Sequence, residues 1–434
     1  MARAAVQLIM APRVALSLLR SAIAFGLVGC TVGAPAAGTS APDPTSEPSG
    51  PGTADGDEPA TPPAATEPEG VKEKARWTFF VYANGDNGRS RELAADLEHM
   101  NEAMLQADVE VIVFADWNAA LTDREGRPFP SGSEWISLAG HGAKPRVRSA
   151  SESEQDLEDP AVLRSAVARA FGQHPADHRG VIVWSRGEGG DAQDGTRPGA
   201  AAMSTPAMIA AIRDGLADIG LTGERTLDVL GFDSYAPARI EIAYATRELA
   251  GVYVANPAGS NGTTWAYADA LGFLANTSDA TGATFAAFEA EAARKIGGPP
   301  HVAVHTEKLE RLADATSSLV RAIAAHPEVM PRVVSAMMAA AEAPFGSGPP
   351  SYQRFVSELA NDPSLDVVTA TAQEVAIHLS EALVYAPGGA ELGITLPLTE
   401  ASPAWLAEYA ETAREWLAAT GWDALLASYA SSEP

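Results

Sequence analysis

Residues 227–249, LDVLGFDSYAPARIEIAYATREL, constrain the fold more than any other stretch. Leu227, Val229, Leu230 and Phe232 form a nearly continuous apolar run, the pattern of a strand buried on both faces, as in parallel sheets. Asp233, Ser234 and Tyr235 then make a polar elbow. Pro237 suits the first turn of a helix, where a missing N–H costs nothing, and Ala236, Ile240, Ala243 and Tyr244 recur along one helical face. A buried strand running straight into a helix belongs to an open α/β sheet, and such sheets place ligands at the carboxyl ends of their strands. The elbow is therefore the first place to look for a site.

The flanking chain repeats the alternation. WTFFVYAN (77–84) and VEVIVFAD (109–116) read as strands by their aromatic and β-branched content, with a helix over 91–106 between them carrying Leu93, Leu97, Met100 and Met104. A short strand is expected over 134–140, a helix opened by acids and Pro160 over 157–171, and a strand over 180–184. Loop composition over 191–203, a helix over 206–216, a strand over 252–259 and a helix over 265–274 complete the series. Strand and helix in alternation predict a parallel, doubly wound sheet. Residues 275–434 read as mostly helical, with strand-like stretches at 301–305 and 392–398 and a closing helix over 416–429.

Several of these segments together resemble the clostripain-like cysteine peptidases. Gly231-Phe232-Asp233, two further residues and a helix with Glu241-Ile242-Ala243-Tyr244 resemble that family's nucleophile segment, Gly-Phe-Asp-Ala-Cys, with Tyr235 in the place of the cysteine. The family's histidine ends the preceding strand in Trp-x-His-Gly; VIVWSRGEGG (181–190) puts Arg186 there. The Trp-led first strand, the helix with Asp96, Leu97 and Met100, the helix after Trp265, LGITLPL (392–398) and the Trp422-Asp423 pair are similar to further family segments. The resemblance implies a caspase-like three-layer α/β sandwich over 76–275, on a mainly parallel sheet, and a mainly helical part over 276–434 that returns a strand. It also implies that Asp233 lies in a pocket for Arg or Lys side chains. A carboxylate there equally suits a helix cap or a pair with Arg186.

Read this way, both dyad positions are degenerate. Arg186 stays protonated and cannot accept a thiol proton, and a phenol such as Tyr235 is a poor nucleophile near neutral pH. Ser234 stands one residue off, and neighbouring side chains of an extended segment point to opposite faces. The expectation is a catalytically inactive homologue that binds a peptide or protein with basic side chains. The alternatives are a hydrolase of basic peptides working through other residues, and a structural envelope protein.

The amino end bears on location. Residues 1–29 are basic, apolar and free of acids, and Leu27-Val28-Gly29-Cys30 resembles a lipobox, so Cys30 is the expected lipid attachment point, whether translation starts at Met1 or Met10. Residues 30–75 are rich in Pro, Gly, Ser, Thr and acids, the composition of an extended tether. Cys30 is the only cysteine, which excludes an internal disulfide and a thiolate metal cluster. A net charge of −26 excludes nucleic acid as a partner and favours cationic peptides, while 46% hydrophobic residues allow a sizeable core. The expected place is the cell envelope, on a membrane through the lipid.

Three weaker constellations carry little. Gly187-x-Gly189-x-x-Ala192 matches part of a dinucleotide fingerprint, but Asp191, Asp194 and Pro198 break the helix it needs and Glu188 would face the pyrophosphate. His174 and His178 have metal spacing, yet Pro175 interrupts them, and two solvated loop histidines are expected. Asp191 and Asp194 match no calcium loop. No cofactor and no metal are expected.

Overall fold

The structure, a computed structural model, describes residues 74–103, 108–139, 147–148, 153–185, 203–234, 238–257, 265–298, 300–342, 349–387, 390–396 and 403–432. The apolar runs form strands β1 (Ala75–Gly85), β2 (Val109–Trp117), β3 (Glu134–Ala139), β4 (Val147–Arg148), β5 (Ala176–Trp184), β6 (Leu227–Asp233), β7 (Ala250–Ala255), β8 (Val302–His305) and β9 (Leu383–Tyr385). They make one sheet in the order β4-β3-β2-β1-β5-β6-β7-β8-β9. The centre, β2-β1-β5-β6-β7, is parallel, and the outer pairs on both sides are antiparallel.

The helices are α1 (Ser90–Glu102), α2 (Pro160–Gln173), α3 (Thr205–Asp218), α4 (Ile240–Ala245), α5 (Tyr267–Asn276), α6 (Gly282–Lys295), α7 (Leu309–Ala325), α8 (Met330–Ala341), α9 (Tyr352–Asn361), α10 (Asp366–Ala382), α11 (Pro403–Thr412), α12 (Arg414–Thr420) and α13 (Trp422–Ser432). Both faces of the sheet are covered, which is why its central strands carry runs of successive apolar residues, as at 79–81, 111–115 and 181–184, rather than a strict alternation. Leu93 and Leu97 of α1, Leu271 of α5 and Phe285 of α6 pack on the face of Phe79, Val111 and Val229. On the other face, Val167 of α2 and Ile212 of α3 meet Phe80, Val181 and Leu230, and the core continues into α4 and the helices from α7 onward. The result is the expected three-layer sandwich with a helical carboxyl-terminal part.

Local chemistry sets the helix starts. Asp159 caps α2, its Oδ1 accepting from Ala161 N at 2.8 Å, and Ser204 caps α3; each is followed by a first-turn proline. The cap moves the start of α2 to Pro160, so Leu157 lies outside it. The expected closing helix over 416–429 is two helices, because Gly421 adopts φ 69° and ends α12 in the left-handed conformation.

Two other expectations are corrected. The described part of LGITLPL, residues 392–396, does not join the sheet: Gly393 N donates to Ala238 O at 2.7 Å and its carbonyl accepts from Ile240 N at 2.9 Å, so the segment is tied to the entry of α4 instead. The sheet edge is taken by Leu383–Tyr385 at the end of α10. His174 and His178 are not solvated loop residues. His174 pairs with Glu110, and His178 sits in β5, 2.8 Å from Asp228 and stacked on Trp77. Two histidines holding two different carboxylates make no metal centre.

Candidate active site at the carboxyl edge of the sheet

The strand order reverses at β1, which has β2 on one side and β5 on the other, and open α/β sheets have their crevice outside the carboxyl ends at such a point. A cavity lies there. Asn84 from the end of β1, Glu158 ahead of α2, Ser185 after β5 and Ser234 after β6 supply its polar groups. Apolar side chains, among them Val183, Met203, Met208, Phe232 and Ile242, form its walls.

The register brings together the two strand ends singled out in the sequence. Trp184 pairs with Asp233, and Ser185 N donates to the Asp233 carbonyl at 3.1 Å, so the chain leaving β5 and the chain leaving β6 start as neighbours. Arg186 and Tyr235 themselves lie outside the described residues, as do Cys30, Asp191, Asp194 and the glycine pattern of 187–192.

Alternation along β6 separates its terminal side chains. Phe232 and Ser234 face the cavity; Asp233 faces the other layer, fully buried, with Tyr267 Oη donating to its Oδ2 at 2.8 Å. Burial, then the adjacent Asp233 and Asp96 carboxylates, hold the Tyr267 phenol well above its ordinary pKa, so it remains a donor. Asp233 does not cap the next helix, since α4 begins only at Ile240. Beside it, Trp184 Nε1 donates to the buried Asp96 at 2.8 Å, and Trp265 Nε1 donates to the Phe232 carbonyl at 3.1 Å. Buried Asn256 holds the Ser234 carbonyl at 2.9 Å. The elbow is thus fixed from beneath by the side chain just after β7 and by side chains of α5 and of the turn before it.

The cavity lip is equally held. Glu158 accepts from Asn84 Nδ2 and from Met203 N, both at 2.7 Å. Arg89 lays its guanidinium on the Trp184 ring, 4.8 Å from the centroid, and donates through Nη1 to the Ser185 carbonyl at 3.1 Å. Asn84, Glu158 and Arg89 escaped the sequence reading because their roles come from pairings 45 to 96 residues apart. Tyr267 was within reach, as a tyrosine two positions from Trp265 in the matched helix.

Next to the cavity, Asp86, Asp116 and Glu154 bring carboxylate oxygens within 4.8 Å of one another. Burial first, and then Glu154, push the Asp116 carboxyl up to about 7; Ser133 Oγ donates to it at 3.1 Å. Three hard oxygen donors suit a divalent cation such as calcium or magnesium better than a soft metal.

Comparison with known proteins places the chain. It matches the model of the clostripain family over residues 81–422, and it belongs to that family. Its fold is similar to that of a secreted C11 cysteine protease from Bacteroides thetaiotaomicron in complex with an irreversible peptide inhibitor, with 19% identity, a TM-score of 0.58, and 81% of this chain and 100% of that one covered. An inactive zymogen C11 protease from Parabacteroides distasonis is similar with 16% identity, a TM-score of 0.58 and coverage of 81% and 99%. Iotapain, a secreted C11 cysteine protease from Bacteroides thetaiotaomicron, is similar with 15% identity, a TM-score of 0.55 and coverage of 80% and 99%. These likenesses establish the caspase-like fold. No curated protein matches the sequence.

The expectation of a catalytically inactive homologue is overturned. The chain is a member of a peptidase family by its match over 81–422, and its fold neighbours are described as cysteine proteases. Membership of a peptidase family does not depend on the residues at positions 186 and 235 alone.

Proposed function

We propose that the protein is an exported peptidase of the clostripain family, held at a membrane through lipid on Cys30 and acting on peptides with basic side chains, with Ser234 as nucleophile. The observation that carries this reading is the presence of Ser234 and Glu158 in one cavity at the switch point of the sheet. Cys30, the only cysteine, stands in the amino-terminal segment, so the nucleophile at the elbow is an oxygen. A serine hydroxyl needs a base and an oriented carbonyl. Glu158 is a carboxylate fixed by two donors, which is the orientation a general base requires.

The steps follow from these groups. Ser234 Oγ attacks the scissile carbonyl carbon as its proton passes to the Glu158 carboxylate. The tetrahedral intermediate collapses, the C–N bond breaks, and the leaving amine takes the proton back from Glu158. A water then attacks the acyl-serine, giving its proton to Glu158; the bond between the acyl carbon and Oγ breaks, Oγ takes that proton back from Glu158, and the acid product leaves. Arg89, a permanent cation beside the Ser185 carbonyl, offsets the charge on the oxyanion. Export is supported by the secreted neighbours and by the amino-terminal sequence, and no helix among the described residues is long and apolar enough to cross a membrane.

The test is turnover of fluorogenic Arg and Lys peptides by the purified protein, followed in Ser234→Ala and Glu158→Gln. Loss of a nucleophile or its base costs up to about 10⁶ in rate, so both variants are expected at background. A fluorophosphonate probe is expected to mark the peptide containing Ser234 in a mass spectrum. If wild type cleaves nothing, the peptidase reading falls. If cleavage survives Ser234→Ala, the nucleophile is elsewhere, and Tyr235→Phe is the next variant to assay.

A further inference from the structure

The cavity that holds Ser234 is built for something other than a cation. Its walls come from five elements and the segments beside them: Leu163 of α2, Val183 of β5, Met203 and Met208 at α3, Phe232 of β6 and Ile242 of α4, none more than 9% exposed. Three of the polar groups reaching it are engaged within the protein. Tyr82 Oη donates to the Leu157 carbonyl at 3.0 Å, Trp184 Nε1 to Asp96, and Asn84 Nδ2 to Glu158. A guanidinium or ammonium entering would lose its hydration against walls that are mostly carbon and sulfur, and the one carboxylate lining the cavity, Glu158, already accepts from Asn84 and Met203. The one carboxylate placed for a basic side chain by the sequence, Asp233, faces the opposite layer and is held by Tyr267.

The lip differs from the interior. Asp156, Glu158 and Asp159 gather around the end of β1, where with Asp116 they add to the burial that raises the Tyr82 phenol. Their charge complements a cation kept outside the cavity. Two methionines in the wall let one pocket fit branched and aromatic side chains alike.

We propose that this cavity selects a bulky apolar side chain from a peptide residue adjacent to a basic one, with the basic group held at the acidic lip. The proposal rests on the peptidase reading and adds the substrate class: a peptide pairing Leu, Met or Phe with Arg or Lys.

The experiment uses the full-length protein with ¹³C-methyl methionine, reading the Met203 and Met208 resonances. The probes are blocked dipeptides: Leu-Arg and Phe-Arg against Gly-Arg and Leu-Gln. Leu-Arg and Phe-Arg are expected to shift both methyls, and the two controls to bind about 10-fold or more weakly. Met208→Trp fills the cavity and erases the discrimination between Leu-Arg and Gly-Arg. Ile242→Ala enlarges it and moves the preference toward Phe-Arg. Circular dichroism checks that each variant is folded, and the opposite effects of the two keep the test open if one is not. Equal binding of Gly-Arg and Leu-Arg overturns the proposal, as do the same shifts from octanoate without a cationic group. Cleavage of the same dipeptides, extended by a fluorogenic amide, decides the peptidase reading separately: binding without cleavage ends that reading and leaves the pocket standing.

Discussion

At Gly231 the sheet lies directly against an indole. A Cβ there would stand 2.5 Å from Trp265 Cζ2, and Trp265 is 1% exposed, with no room to swing away. Gly231→Ala therefore displaces the ring whose Nε1 holds the Phe232 carbonyl, and is expected to destabilise the fold by about 1–3 kcal/mol in urea unfolding. The site should suffer with it, since Phe232 and Ser234 line the cavity. Tyr267→Phe tests the other face of the elbow. It removes one donor from the fully buried Asp233 carboxylate, and the expected loss is about 1–3 kcal/mol, read from the same unfolding curves. A loss near zero would show that the hydroxyl is dispensable to that carboxylate.

Among the elements, the carboxyl end of β2 carries a pH dependence of its own. The Asp116 carboxyl has a pKa of about 7 in the fold against 3.8 ordinarily. As pH rises the unfolded chain releases this proton first, so stability falls between about pH 4 and about pH 7 and stays lower above that window. Asp116→Asn removes that slope while its side-chain oxygen still accepts from Ser133. Thermal melts are expected to show the variant gaining on wild type at about pH 8 relative to about pH 5; parallel profiles would refute it. The strands themselves were legible because runs such as 111–115, inside Val109–Trp117, are apolar at successive positions, which a doubly covered sheet accommodates. The amino half of β5 was not: Asp177, His178 and Arg179 look like loop until Asp228 is placed opposite, accepting from Arg179 N and pairing with His178. LGITLPL misled for the reverse reason, having a strand's composition while its hydrogen bonds go to the entry of α4. At the site, Asp233 was legible through its motif, whereas Glu158 carries no local signal and gains its place from Asn84 and Met203.

For the whole molecule, a net charge of −26 makes association with cationic peptides sensitive to salt. The specificity constant for Arg peptides is expected to fall as ionic strength rises from about 0.01 M to about 1 M, while a neutral peptide's stays level; equal responses would remove long-range charge from the account. The proposed anchor is checked by metabolic labelling, in which Cys30→Ser should take up no palmitate and leave the membrane fraction. One feature of the fold also sets an order in time. Glu241, in the first turn of the helix that follows the elbow, has its Oε1 bound by Thr395 N and Tyr409 Oη, each at 2.8 Å, from residues 154 and 168 positions later. A chain threaded through a membrane amino end first carries its elbow across long before these two anchors arrive. On the proposed route of export, the edge that carries the proposed site is completed only by residues that emerge well after the elbow, so a half-delivered molecule lacks the groups that hold that edge in place.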